Sequence, residues 1–290
     1  MSAHAALLPD GRLHLQHGPI DCLCQAWGAP AEVRAAYQQA AVFFATVMAD
    51  LCNELALLRQ PLPSPPPVGA VARAMHDACM PFADRFITPM AAVAGAVADA
   101  VLAAMCRGRN VHKAFVNNGG DIAFHLQPGA SLRCGLIADI AAPSTPSLQG
   151  SFLLTAEQPA RGLATSGRAC KGHGGRSFSF GIADSVSILA RTAAQADAAA
   201  TIVGNAVDLP GHPAIDRRPA NEIDPDSDLG NRLVTFDVGL LSDETVSAAL
   251  DAGQSIGDIL LQVGLIEGSV LVLRRQMRIR HAPLLLKEVA

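Results

Sequence analysis

The stretch from Arg161 to Ala206 reads RGLATSGRACKGHGGRSFSFGIADSVSILARTAAQADAAATIVGNA. Its last part predicts a helix that carries Asp197 and Thr201. Four residues make about one helical turn, so this carboxylate and this hydroxyl lie on the same helix face. Two oxygen atoms in that arrangement suit a partly hydrated Mg²⁺. An ordinary helix is the alternative, with Asp197 as a first-turn acid favoured by the helix dipole.

Two glycine-containing segments have the residue types of a nucleotide site. The residues Asn118, Gly119, Gly120 and Asp121 follow a predicted strand. Consecutive glycines permit positive φ and close approach of the backbone to a phosphate or an adenine edge. A hairpin turn is the alternative, because Asn-Gly is a strong two-residue turn signal. Earlier in the chain, a predicted Ala-rich helix contains Gly95, where either a second helix or a ligand can come close.

A polar turn and a basic loop precede the helix of Asp197. The turn Thr165, Ser166 and Gly167 offers hydroxyls and backbone N–H groups to a pyrophosphate, or simply reverses the chain. The loop after it surrounds Cys170 and His173 with arginine, lysine and glycine, which favours the thiolate and suits a loop that closes over an anion. A flexible turn is the alternative for both residues.

One acidic residue falls inside a predicted strand. The run from Phe178 to Leu189 predicts a strand that is broken by Gly181 and contains Asp184 near its middle. A carboxylate in mid-strand is unfavourable to bury unless it is paired. Asp184 is therefore expected either on the solvent face or in a functional site.

The order of these motifs resembles the ApbE family of FAD:protein FMN transferases, which bind FAD and Mg²⁺ and transfer FMN to a protein threonine. The matching motifs are Gly95-(three residues)-Asp99, Asn118 to Ile122, Ala164 to Gly167, and Ala196-Asp197-(three residues)-Thr201. The chain is more closely similar to an uncharacterised ApbE-related family of shorter proteins, from about Gly11 to the C-terminus. That similarity rests on His14 to Pro19, Ser177 to Asp184, and Asp224 to Arg232.

The resemblance implies a fold and a set of site residues. Long helices interspersed with hairpins predict an α+β fold, and the resemblance implies the ApbE-like T-fold with two similar halves in one chain. Residues 1–290 are then a single ApbE-like domain, with a Pro-rich internal loop at 61–67. The resemblance implies Mg²⁺ and FAD, or another flavin or nucleotide, at the junction of the halves. The implied roles are metal binding by Asp197 and Thr201; nucleotide binding by Gly95, Asn118, Gly119, Gly120, Asp121, Thr165, Ser166 and Gly167; and catalysis by Asp184 and Asp197.

Two departures from the transferase pattern define the alternative function. Val93-Ala94-Gly95 stands where the transferases have Ala-Lys-Gly, and Ser179 to Asp184 stands where they have a His-Ile-Ile-Asp-Pro segment. The missing Lys and His remove polar groups from the implied nucleotide site. The chain is therefore expected either to transfer FMN or a phosphoryl group to a protein acceptor, or to bind a flavin, pterin or nucleotide without catalysis, for example in one-carbon cofactor metabolism.

Composition excludes some partners and indicates a compartment. A net charge of −4, without a basic block, argues against nucleic acid or an anionic membrane surface as the main partner. The 7 cysteines are scattered, which fits reduced thiols better than a disulfide framework. The first ten residues lack the features of a signal peptide, so a cytoplasmic location is expected. The sequence does not indicate an oligomeric state.

Overall fold

The computed structural model describes residues 2–137, 148–167, 178–282 and 284–286. The described chain combines helices with a large antiparallel sheet, so its mixed helix and strand content agrees with the α+β prediction. The strands are β1 (His4–Leu7), β2 (Leu13–His17), β3 (Ile20–Gly28), β4 (Val111–Asn118), β5 (Asp121–Leu126), β6 (Ser131–Ile137), β7 (Leu148–Thr155), β8 (Gly162–Ser166), β9 (Ser185–Ala190), β10 (Ile215–Pro219), β11 (Leu233–Val238), β12 (Gly268–Leu273), β13 (Gln276–Arg280) and β14 (Leu284–Leu286). The helices are α1 (Pro30–Asn53), α2 (Leu55–Leu58), α3 (Ala70–Cys79), α4 (Val93–Cys106), α5 (Ala193–Ala206), α6 (Ala220–Ile223) and α7 (Asp243–Gln262).

The chain divides into two compact units. Unit 1 comprises Met1–Leu132, Leu154–Ala164 and Ala190–Ala198, and unit 2 comprises Arg133–Leu153, Thr165–Leu189 and Ala199–Ala290. Several elements, α5 among them, contribute residues to both units. That residues 1–290 form a single domain with two similar halves stays a prediction.

Unit 1 is an antiparallel sheet covered by Ala-rich helices. Its strands follow the order β1-β2-β3-β4-β5-β8, and α1 and α4 pack on β2 to β5. The strand β3 alternates buried and more exposed residues, as expected for a strand with one face on the core. Large buried side chains, among them Leu15, Phe44 and Phe124, fill the space between small helix residues. This packing places the start of α4 beside the β4–β5 hairpin.

The proline-rich run 61–67 connects α2 to α3 within unit 1. Leu62 N–H donates to the carbonyl of Ile87 at 2.9 Å. Just beyond the run, the Glu54 carboxylate accepts from the N–H groups of Val68 and Gly69 at 2.6 and 2.7 Å. These bonds satisfy backbone donors at the start of α3, where no helical partner exists. The run is an irregular connection that is held by hydrogen bonds near both of its ends.

Unit 2 contains a second set of strands and the long helix α7. The strands β9, β12 and β13 are antiparallel neighbours, and α7 packs on β12 and β13. Ser242 caps α7, since its Oγ accepts from Thr245 N–H at 3.2 Å. Ile188, Leu250 and Leu271 are among its fully buried side chains. Two smaller sheets, β10-β11 and β14-β7-β6, complete the described part of this unit.

The prediction of a strand from Phe178 to Leu189 is wrong for its first part, because β9 begins only at Ser185. The backbone of the preceding residues bonds to other elements instead of a strand ladder. Ile182 N–H donates to the carbonyl of Val207 at 2.8 Å. A Cβ on Gly181 would lie 2.1 Å from the carbonyl oxygen of Gly204, so this glycine allows the segment to lie directly against the end of α5. Asp184 therefore precedes the strand rather than lying within it.

Arg217 fastens this irregular segment to β10 in unit 2. Its guanidinium pairs with the Asp208 carboxylate and donates to the carbonyl of Phe180 and, at 3.4 Å, to Thr235 Oγ1. The side chains of Arg217 and Asp208 are 19% and 17% exposed, so removing the arginine leaves a largely buried acid unpaired. We expect Arg217→Met to lower the free energy of unfolding by about 3 kcal/mol, as measured by urea denaturation.

A neighbouring arginine provides the control for that prediction. Arg218 pairs with Asp216, and both side chains are 48% exposed. Because exposed pairs contribute little, Arg218→Met should cost less than about 1 kcal/mol. Equal losses in the two variants would contradict the assignment of Arg217 as a buried anchor.

The apolar stretch Pro89–Cys106, which includes α4, is long and apolar enough to cross a membrane by length and composition alone. Half of it is buried inside the protein, and a core helix of a globular protein meets the same criterion. Its contacts with α1, β4 and β5 are those of a core helix.

Six cysteines of the described chain are free thiols: Cys22, Cys24, Cys52, Cys79, Cys106 and Cys134. Burial raises the pKa of Cys22 to about 12 and raises that of Cys24 as well. A thiol with such a pKa stays protonated and unreactive at neutral pH. These two cysteines therefore act as buried packing residues in the core of unit 1.

Candidate functional site

Two acids from separate motifs meet in unit 1. Asp121 is the first residue of β5, and Asp197 lies in the first half of α5. Asp121 is 7% exposed. Burial, together with the charge of Asp121 and a side-chain hydrogen bond to it, raises the pKa of Asp197 well above its ordinary value. Two like charges cannot both ionise easily in such a place, so the pair favours a shared proton or a bound cation.

The first turn of α4 contacts the same carboxyl group. Gly95 N–H donates to Asp197 Oδ2 at 3.1 Å. A Cβ on Gly95 would lie 2.2 Å from the carbonyl oxygen of Ala193 and 2.7 Å from the nitrogen of Ala194. The missing side chain thus lets the backbones of α4 and α5 touch, which is the helix-packing alternative open at this position. That Gly95 also binds a nucleotide stays a prediction.

The β4–β5 hairpin presents Asp121 to this site. Gly119 and Gly120 form its two-residue turn with φ of +63° and +114°, which explains both glycines by turn geometry. A Cβ at either position would meet nothing within 4 Å, so a ligand can approach this backbone. The Asn118 amide donates to the carbonyl of Ala94 at 3.1 Å and thereby ties the hairpin to α4. Nucleotide binding by Asn118, Gly119, Gly120 and Asp121 stays a prediction.

Asp99 provides a second link between α4 and α5. Its Oδ1 accepts from Ala193 N–H at 3.0 Å and its Oδ2 accepts from Ala194 N–H at 2.9 Å. Burial raises the pKa of Asp99 to about 6, although the two N–H groups act in the opposite direction. Asp99 therefore caps the N-terminus of α5.

The prediction of a turn at Thr165 and Ser166 is wrong, because both residues belong to the end of β8 and only Gly167 follows the strand. All three residues lie in unit 2. Thr165 Oγ1 and Ser187 Oγ are hydrogen-bonded at 2.9 Å. Gly167 has φ of +126°, and a Cβ there would lie 2.7 Å from the carbonyl oxygen of Asp184. This glycine packs directly on neighbouring backbone. Phosphate binding by Thr165, Ser166 and Gly167 stays a prediction.

Asp184 has a visible structural contact in unit 2. Its carboxylate accepts from the backbone N–H of Arg274, which has φ of +56° in the turn between β12 and β13. Its own N–H donates to the carbonyl of Val272 at 2.9 Å. The acid thus supports a turn whose backbone conformation is uncommon for an arginine. A catalytic role for Asp184 stays a prediction.

Three further residues singled out in the sequence are Thr201, Cys170 and His173. Thr201 follows Asp197 by one turn of α5, and metal binding by Asp197 and Thr201 stays a prediction. Cys170 and His173 lie outside the described residues. Among the described residues, no group of three or more His, Cys, Asp or Glu side chains could hold a metal ion, so the acid pair is a site of few protein ligands.

The sequence interpretation missed the contact between Asp121 and Asp197, although it singled out both residues. It also left Arg217 unmentioned. The sequence signal for the contact was the Gly-Gly-Asp turn. This turn indicates that an acid is held at a defined position directly after the two glycines, but it does not indicate which residue the acid contacts. An arginine next to a second arginine in β10 carries no pattern that distinguishes an anchor from a surface charge.

A family model described as AbpE bacteria matches residues 5–279 of the chain. The chain belongs to this family. It is also similar to a UPF0280 protein of Methanospirillum hungatei, with 39% identity over 132 residues, which cover 45% of this chain and 50% of that protein. A UPF0280 protein of Methanothermobacter thermautotrophicus is 38% identical over 126 residues, which cover 43% of this chain and 44% of that protein. The similarity thus spans about half the length of these curated relatives.

Proposed function

We propose that this AbpE bacteria family member binds Mg²⁺ at Asp121 and Asp197, together with the phosphates of a flavin or adenine nucleotide. One observation carries the proposal. Two acids, the buried Asp121 and Asp197, come from motifs that the sequence singled out independently and interact through a side-chain hydrogen bond at the junction of a glycine turn and two helices. FMN or phosphoryl transfer to a protein acceptor is the activity that such a complex would support.

A divalent cation fits this pair of ligands. Mg²⁺ is commonly bound through one or two carboxylates and keeps water or substrate phosphates as its other ligands. A cation would also offset burial and the repulsion from Asp121, which together raise the pKa of Asp197. The ApbE resemblance adds the hydroxyl of Thr201, one turn further along α5, as a third oxygen. When bound, Mg²⁺ would supply charge neutralisation at pyrophosphate oxygens and at the leaving phosphate.

The residues of the chain have separate parts in this proposal. Asp121 and Asp197 hold the cation. The backbone at Gly119 and Gly120 is open to a phosphate, since a Cβ at either position would meet nothing within 4 Å. Asn118 holds the hairpin against α4 through the carbonyl of Ala94, which fixes the distance between the turn and the acid pair.

A second candidate function is binding of a flavin, pterin or nucleotide without catalysis, for example in one-carbon cofactor metabolism. It is favoured by Val93-Ala94-Gly95, which lacks the Lys of the ApbE transferases. It is also favoured by Asp184, whose carboxylate supports the Arg274 turn and is thus already engaged. We infer further, from the family and composition, an ApbE-like T-fold with two similar halves and a cytoplasmic location.

Calorimetric titration of FAD, FMN, ADP and a pterin into the metal-stripped protein, with and without Mg²⁺, tests the proposal. We expect binding that depends on Mg²⁺. Asp121→Ala should weaken it by roughly 100-fold, because loss of groups that only support metal ligands already costs about 10- to 100-fold. Asp50→Ala is the matched control, since Asp50 is an exposed acid on α1 of the same unit.

The outcomes separate the two candidate functions. Binding of a nucleotide that is equally tight with and without Mg²⁺, and unchanged by Asp121→Ala, would contradict the metal site. Mg²⁺-dependent FAD binding followed by FMN transfer to a threonine-containing acceptor would support the transferase. The same binding without transfer would support the non-catalytic alternative.

A further inference from the structure

The helices α4 and α5 cap each other in a reciprocal way. The α5 residue Asp197 accepts from Gly95 N–H in the first turn of α4, at 3.1 Å. The α4 residue Asp99 accepts from the first two N–H groups of α5, those of Ala193 and Ala194, at 3.0 and 2.9 Å. The first N–H groups of a helix have no helical partner, so each acid satisfies donors that the other helix leaves free.

We call these contacts, of Asp197 with Gly95 and of Asp99 with Ala193 and Ala194, the clasp between α4 and α5. The spacing of these residues along the two helices makes it possible. Gly95 and Asp99 are four residues apart on α4, as are Ala193 and Asp197 on α5, so each pair lies on one helix face. The two faces meet where Gly95 has no side chain, with its missing Cβ position 2.2 Å from the carbonyl oxygen of Ala193. Two hydrogen-bonded points, one turn apart on each helix, prevent α5 from sliding or rotating on α4.

We propose that Asp99 is the positioning residue of the acid pair: by holding the start of α5 it sets the contact of Asp197 with Gly95 and Asp121, and thereby the affinity for Mg²⁺. The part that concerns Mg²⁺ rests on the proposed function. The part that concerns the placement of Asp197 rests on the hydrogen bonds alone, and it can be tested without metal.

The alternative is that Asp99 only caps α5 and stabilises this helix without setting the position of Asp197. A second cap of the same helix provides the control. Thr192 precedes α5, and its Oγ1 accepts from Gln195 N–H at 3.1 Å. This bond lies within one segment and makes no link to α4. Thr192→Ala thus removes a cap from the same helix end and leaves the clasp intact.

The test compares Asp99→Ala, Asp99→Asn and Thr192→Ala in the full chain at pH 8, above the pKa of Asp99. Amide hydrogen exchange of Gly95 reports its bond to Asp197, and calorimetry with Mg²⁺ alone reports the acid pair. We expect Asp99→Ala to accelerate exchange at Gly95 by at least 10-fold and to weaken Mg²⁺ binding by about 10-fold, as is typical for residues that orient metal ligands. Asp99→Asn, which keeps one acceptor oxygen, should give smaller changes of both kinds and remains informative if the alanine variant fails to fold.

Thr192→Ala should change both readouts by less than 2-fold. The inference is overturned if Asp99→Asn leaves Gly95 exchange unchanged, or if Thr192→Ala accelerates it as much. If substitution of Asp99 accelerates exchange at Gly95, but the wild type binds neither Mg²⁺ alone nor a nucleotide with Mg²⁺, the placement is supported and the proposed function is overturned. Mg²⁺ binding that is insensitive to Asp99 would overturn the inference and leave the proposed function intact.

Discussion

Gly95→Ala is expected to lower the free energy of unfolding by about 3 kcal/mol or more. The new Cβ would lie 2.2 and 2.4 Å from the carbonyl oxygen and carbon of Ala193, and 2.7 Å from the nitrogen of Ala194. These neighbours are backbone atoms, so no side-chain rotation can relieve the overlap. The only relief is separation of α4 from α5, which breaks the bonds made by Asp99 and Asp197. Urea denaturation followed by circular dichroism measures the loss.

A second helical glycine provides the matched control. A Cβ on Gly204, within α5, would find its nearest neighbour at 3.7 Å, an ordinary contact with Ser166 Oγ. Gly204→Ala should therefore gain about 0.5–1 kcal/mol, because alanine loses less conformational freedom on folding than glycine. A Gly95→Ala protein as stable as the wild type would show that the two helix backbones are not in contact.

Asp197→Asn is expected to make the protein more stable without metal and insensitive to Mg²⁺. The raised pKa of Asp197 means that the folded protein holds a proton which the unfolded chain releases at lower pH. Stability from this group is thus lost as pH rises from the unfolded pKa through the folded one. Asparagine mimics the protonated acid at every pH, so the variant should be more stable than the wild type at pH 8, and its stability should depend less on pH.

With Mg²⁺ present, we expect the wild type to be more stable than Asp197→Asn. At a concentration 100 times the dissociation constant, a ligand that binds only the folded state adds about 2.7 kcal/mol. The wild type should show a stabilisation of this order in urea denaturation with Mg²⁺, while Asp197→Asn should show none. Asp50→Asn, at an exposed position, should follow the wild type in both respects. An Asp197→Asn protein that is less stable than the wild type at pH 8 would contradict the unfavourable pairing of the two acids.

Local parts of the fold and site could be predicted from the sequence. The Asn-Gly-Gly-Asp turn, the helix of Asp197 and the Ala-rich helix of Gly95 depend on neighbouring residues, and their patterns indicate them correctly. The contact of Asp121 with Asp197 and the capping of α5 by Asp99 depend on tertiary packing, which no local pattern encodes. The start of β9 was misplaced for the same reason, since Gly181 lies against the distant backbone of Gly204.

The mutual capping of α4 and α5 also bears on how the chain folds. The bond between Gly95 and Asp197 joins residues 102 positions apart, and the bonds of Asp99 to Ala193 and Ala194 span 94 and 95 positions. The bonds between the two helix starts form only when both helices are present, so we expect this corner to form late, with a cost in loop closure. A nascent chain that has emerged only as far as β8 has both Gly95 and Asp99 in place but has neither of their partners. The acid pair is thus absent from every partly synthesised form of the protein that ends before α5.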